Sequence, residues 1–233
     1  MHMKYHLLIF IFALVYLSAD VSKASTCHRL FLPPSTSNAI QIADLGPQTA
    51  LTQNKKDLLD RRLRELDSDW SRSPEQFKYQ EFEMTEYGRI FDRNESIDPI
   101  EANPKKMERR KLIFENGLAT LPGLGKPLST NMFRQKIALG LKHFNSGPHW
   151  IYVMTADGAI YVTPPGMGIK HSSLSSETVS AAGWIEIIDG KIVYLNNGSG
   201  HFQPNGSSVA QVLFQLHLME ADISRLQLLL VDE

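Results

Sequence analysis

The chain has 233 residues, with 24 Lys and Arg against 25 Asp and Glu, a net charge of −1 and 42% hydrophobic residues. So even a balance gives no electrostatic footing for nucleic acid or an anionic membrane surface. A single cysteine excludes an intrachain disulfide, and no Cys/His cluster has zinc-site spacing, so neither a metal nor a cofactor is expected.

Residues 1–24 have the pattern of a secretory signal. Lys4 supplies the positive start, Leu7 to Leu17 is apolar without a break, and Ser22 and Ala24 are small residues at cleavage spacing. The apolar stretch is well short of the ~20 residues a helix needs to cross a bilayer. Cleavage is expected after Ala24, giving a secreted or periplasmic protein with no stable membrane insertion. Cys27 then lies close to the new terminus, and the sequence leaves its lipidation open, because Ala24-Ser25-Thr26 lacks the Leu of a lipid-attachment box.

Residues 25–105 are read as an amino-terminal linker and helical region. Pro33-Pro34 and Gly46-Pro47 break the early part. Residues 55–69 read as a helix, with Leu58, Leu59, Leu63 and Leu66 as the apolar stripe and a charge-balanced outer face. Asp98-Pro99 and Asn103-Pro104 are read as loops, and a boundary is placed near residue 104.

Residues 106–233 are read as an α+β domain whose antiparallel or mixed sheet is built from hairpins. The hairpins are 111–120, turning at Asn116-Gly117; 149–163, turning at Asp157-Gly158; and 184–195, turning at Asp189-Gly190. In the last of these Trp184 should pair near Leu195. Met132 to Leu141 reads as a short helix. A carboxy-terminal helix over 208–223, capped by Ser207-Ser208, should pack on the sheet through Val209, Val212, Leu213, Leu216, Met219 and Ile223. Leu226 to Val231 reads as a final strand. Asn94, Asn197 and Asn205 each begin an Asn-x-Ser glycosylation triplet.

The residues that packing does not require lie around the last hairpin. Its tight turn sends the segments before and after it to one end of the sheet, so His171 and His201 are expected in one cleft. A His beside a Ser can activate a nucleophile or move a proton. On that chemistry His171, Ser172 and His201 are the candidate catalytic residues, and Ser173, Glu186, Ser199 and Trp184 the candidate ligand-binding ones. The same residues can serve structure instead: loop Ser and His commonly hold turns, and Glu186 between Ile185 and Ile187 suits an exposed strand face. No Gly-x-Ser-x-Gly elbow, His-Glu-x-x-His or paired-carboxylate motif is present.

Several of these segments occur together, in order: Phe114-Glu-Asn-Gly117, His149-Trp-Ile-Tyr-Val, His171-Ser-Ser-Leu, Ala181-Ala-Gly, Asp189-Gly190 and Ser199-Gly-His-Phe-x-Pro204. In this arrangement residues 107–233 resemble the shared domain of the plant IQ-motif calmodulin-binding proteins, and similar segments of uncharacterised secreted bacterial and fungal proteins. That family's IQ element lies outside the domain. Here Ile40-Gln41 begins such a pattern, but Leu45 and Ala50 replace its basic residues and Pro47 breaks the helix it needs. The residues therefore argue against calmodulin as a partner.

Three functions follow in order of preference. The first is a secreted, effector-like or interaction protein that holds an unknown protein or small molecule in a cleft near His171 and His201. The second is a secreted transferase or hydrolase using those histidines with Ser172 or Ser199. The third is a calmodulin-binding protein. Whether the chain is an enzyme is left open by its residues.

Overall fold

The central strand sets the plan. Trp150–Met154 (β4) is buried at every residue, so its continuous apolar run reads as a strand covered on both faces. It lies second in a five-stranded sheet ordered β5-β4-β7-β8-β9. The others are Ile160–Thr163 (β5), Ala181–Ile188 (β7), Lys191–Asn196 (β8) and Gln227–Leu229 (β9). All neighbours are antiparallel except β8 and β9, which are parallel, so the sheet is mixed and the fold is α+β. The computed structural model describes residues 51–94, 99–131, 148–166 and 168–231. The signal segment, Cys27, Ile40-Gln41 and the helix expected over Met132 to Leu141 lie outside these.

Two small sheets complete the strands. Ile113–Glu115 (β2) pairs with Leu118–Thr120 (β3), and Phe82–Glu83 (β1) with Thr178–Val179 (β6). Asn116 and Gly117 have φ of 51° and 79°, and Asp189 and Gly190 have 51° and 80°. Both central residues of each turn are left-handed, as a two-residue type I′ hairpin requires. Asp157-Gly158 does not form such a turn. Met154 pairs with Ile160, Thr155 N–H donates to Ala159 O, and only Gly158 has positive φ. The loop is therefore three residues long, with Gly158 at its left-handed position. In the last hairpin Leu195 faces Ile185 rather than Trp184, because a bulge lies between Glu186 and Ile187 of β7 and their partners.

One face of the sheet carries helix α1, Gln53–Arg72, packed on helix α4, Gly206–Leu218. Leu59, Leu63 and Leu66 share a core with Tyr152, Ile185, Ile187, Leu195, Val212 and Leu213. Leu58 is not part of the buried stripe and is 39% exposed. Spacings of three and four join 59, 63 and 66 on one face, and residue 58 falls one step round the helix.

Helix α4 is shorter than the expected 208–223. Its cap is Asn205, whose Oδ1 accepts the Ser207 N–H at 3.0 Å, and Ser208 is buried within it. It ends before Ile223 as Glu220 turns to φ 54°, which lets Asp222 N–H reach Gly117 O.

The other face is covered by shorter pieces: β1, helix α2 (Glu86–Asn94), a 3-10 turn at Ile100–Ala102 and helix α3 (Pro104–Glu108). Met84, Ile100, Leu174, Val179 and Phe202 pack there on Ile151, Val153 and Ala182. Asn103-Pro104 opens a helix rather than a loop. Asn103 Oδ1 caps Lys106 N–H at 3.1 Å and Pro104 takes the first helical position, where its missing N–H costs nothing. Among the described residues no helix is long and apolar enough to cross a membrane.

Candidate functional site

His171 opens a 3-10 turn, His171–Ser173, at the end of the loop that leads into β6 and β7. Its ring is 5% exposed, lies edge-on to Trp184 at 5.9 Å, and has Nε2 2.9 Å from Gly183 O. Burial lowers its pKa to about 4. The Gly183 hydrogen bond opposes that shift and the neighbouring His201 adds to it. His171 is therefore neutral at pH 7. A carbonyl can only accept, so Nε2 carries the proton and donates it to Gly183.

His201 is held from the opposite side. Its Nε2 lies 2.9 Å from Asp92 Oδ1 on α2, and its ring is edge-on to Phe91 at 5.5 Å. Its carbonyl accepts both the Thr85 N–H at 2.8 Å and the Thr85 hydroxyl at 2.9 Å. A Cβ on Gly88 would sit 2.7 Å from that same oxygen, so the close seating of α2 needs glycine there. Lys170, next to His171, places Nζ 5.0 Å from the Phe91 ring centre. The two histidine segments thus meet around Phe91, at the same end of the sheet.

The histidines come together, but not as a relay. No hydrogen bond joins His171, Ser172 and His201 to one another; His171 is bonded to backbone and His201 to Asp92. Ser172 Oγ is buried and has no hydrogen-bond partner. Ser173 Oγ accepts Lys170 N–H and donates to Gly168 O, closing its own turn. Ser199 Oγ accepts Phe202 N–H at 3.4 Å within a turn. His201 is 8% exposed, so neither ring lines an open cleft. A shallow groove lies elsewhere, along Arg61, Arg64, Glu65 and Ser68 of α1.

Trp184 and Glu186 belong to a second, more open group. They share the face of β7 opposite Ile185 and Ile187. Glu186 pairs across β8 with Tyr194, and its Oε2 lies 3.5 Å from His149 Nε2 on the β4 side. The imidazole of His149 stacks on the Tyr194 ring at 4.3 Å and 23°. Glu186 is not on a freely exposed face, because its side chain is only 18% exposed beneath that stack.

Asn196 ties the two groups together. Its Nδ2 donates to Tyr194 Oη at 2.8 Å, and its Oδ1 accepts N–H groups of Trp184 and Gly198, each at 2.9 Å. Its carbonyl accepts the Tyr152 hydroxyl at 2.9 Å, and burial pushes the Tyr152 pKa up, so this phenol stays a donor. Gly183 must be glycine, since a Cβ there would lie 2.0 Å from Asn196 O.

Four residues at these groups were not singled out as functional by sequence: Asp92, Gly183, His149 and Asn196. His149 and Asn196 could have been found from strand register, being near Glu186 and Trp184 across the sheet. No local signal exists for Asp92, 109 positions from its partner. Asn197 is unavailable for glycosylation in the fold. Its Nδ2 donates to Pro204 O and Val231 O, and its Oδ1 accepts Val231 N–H. Asn205 is exposed. Among the described residues no group of three His, Cys, Asp or Glu side chains could hold a metal ion.

Residues 129–209 match the family model of the IQ motif-containing protein middle domain. This supports the sequence resemblance over that stretch, which takes in His149, His171, Trp184, Glu186, Ser199 and His201 and leaves out α1 and Asp92. No curated protein and no solved structure gives a significant match.

Proposed function

We propose that the chain is a secreted interaction protein, effector-like in character, which binds a ligand beside the His171–His201 group and does not use those histidines for acid–base chemistry. The observation that carries this reading is that neither ring has a serine hydroxyl as its partner. His171 Nε2 is spent on Gly183 O and His201 Nε2 on Asp92, and neither ring is hydrogen-bonded to Ser172. An activated serine needs a base within about 2.6–3.2 Å. The two rings instead brace the turn, α2 and the 197–204 loop behind the more open face at Trp184 and Glu186. Amino-terminal sequencing of the exported chain should begin at Ser25. A fluorophosphonate reagent tests for a nucleophile: intact-mass analysis should show no adduct, and stoichiometric labelling of Ser172 or Ser199 would establish the hydrolase or transferase reading instead.

The family match favours calmodulin binding as a second reading. Against it stands the burial of Leu59, Leu63 and Leu66, which leaves α1 no apolar face for a partner. The full chain should not be retained on calmodulin resin with calcium. Retention that is lost on Ile40→Ala and Gln41→Ala substitution would restore this reading.

A further inference from the structure

We propose that the open group around Glu186 is a binding site for a small organic cation bearing an ammonium or guanidinium head. This rests on the binding reading above and names the ligand chemistry of the same sheet face. The starting point is a carboxylate that the described residues do not hydrogen-bond. The Glu186 side chain is four-fifths covered, yet it accepts no hydrogen bond, and its one charged contact is the 3.5 Å approach of His149. The side chain keeps 18% of its surface open, so a donor from outside the chain can reach its oxygens, and covering them further without a donor would be costly.

The surroundings select the kind of donor. Two aromatic residues share its side of the sheet, Trp184 two residues before it and Tyr194 opposite it, with His149 stacked on one face of Tyr194. Aromatic faces carry negative charge density and attract a cation brought within about 6 Å. Lys191 at the start of β8 is paired with Asp222 at 2.7 Å, and Lys170 lies over Phe91 in the other group. An anion would meet the carboxylate's own charge, which among the described residues only His149 stands close enough to offset. A neutral polyol could hydrogen-bond the oxygens and lay C–H groups on the rings, but it brings no positive charge to the carboxylate. A cationic head uses both. Asn196 fixes the wall of the site, because its amide holds the Tyr194 hydroxyl and the Trp184 backbone together.

Calorimetric titration of the full chain with choline, methylguanidinium and 3,3-dimethylbutanol tests this. The last has the shape of choline without its charge. Saturable binding of choline or methylguanidinium is expected, with the neutral isostere at least tenfold weaker. Glu186→Gln should weaken the cation at least tenfold with an unchanged melting temperature. Tyr194→Phe, which keeps the ring, should bind within about threefold. Should Glu186→Gln melt early, Glu186→Asp provides the second measure, since a retracted carboxylate should also weaken the cation. The proposal falls if neither cation saturates by tens of millimolar, if the neutral isostere binds equally, or if the Glu186 variants bind like the parent. Those results would leave the binding reading standing, because that reading is judged by serine labelling.

Discussion

His171 makes the fold sensitive to acid. In the folded chain its pKa is lowered from 6.5 to about 4, chiefly by burial. Between these values the unfolded chain binds a proton that the folded chain refuses, so acid favours unfolding. The stabilisation is fully present above pH 6.5 and is lost as the pH falls through about 4. At about 1.4 kcal/mol per unit the whole loss is about 3 kcal/mol, of which about 2 kcal/mol has gone by pH 5. Urea unfolding at pH 7.5 and pH 5 measures it. His171→Gln is the control: its amide can still donate to Gly183 O, but it does not titrate. The parent should lose about 2 kcal/mol more than this variant over that interval. Equal losses in the two chains would refute the argument and mean that the imidazole is solvated or shares its proton.

Two further substitutions probe the packing. Leu63→Ala removes a side chain from the core shared by α1, α4 and the sheet, and should cost about 2–5 kcal/mol in a single urea transition. A loss below about 0.5 kcal/mol would show that α1 is not part of that core. Gly183→Ala forces a methyl onto the Asn196 carbonyl, so β7 and β8 must separate there. A loss of about 3 kcal/mol is expected by thermal or urea unfolding, and a neutral effect would put the β7–β8 register in question.

What the sequence disclosed was what local chemistry decides. Asn116-Gly117 and Asp189-Gly190 are read correctly because a type I′ turn depends on two residues alone. Asp157-Gly158 has the same letters and a different loop, since there only the glycine enters the left-handed region and Asp157 instead accepts from the Thr155 hydroxyl. Asn103-Pro104 looks like a break in isolation and is a helix start in context, because the same two residues suit both. The site shows the same division. The nearness of His171 and His201 follows from the hairpin's return. Their uses do not, because Gly183 O and Asp92 are fixed by long-range packing that no spacing along the chain records.

The bulge in the last hairpin explains how one short strand serves both faces of the sheet. Ile192 and Leu195 are three positions apart, so on a regular strand they would point to opposite sides. Both are fully buried in the α1–α4 core. The extra residue, Val193, makes this possible: Ile187 pairs with Ile192, Glu186 pairs with Tyr194, and Val193 is left without a partner. With that shift Tyr194 and Asn196 fall on the far side, beside Glu186 and Trp184. A regular β8 could keep Ile192 inside only by turning Tyr194 inward and Leu195 outward, since a one-residue slip reverses every side chain. With Val193 present, the aromatic wall of the cation site and the apolar core beneath α4 therefore depend on the same irregularity. Deleting Val193 would join Ile192 directly to Tyr194 and let the same pairs form on a regular strand. Urea unfolding should then find the core kept, as it should after a polar replacement of the half-buried Val193 side chain. A large loss of stability on deletion would show that the bulge itself is needed.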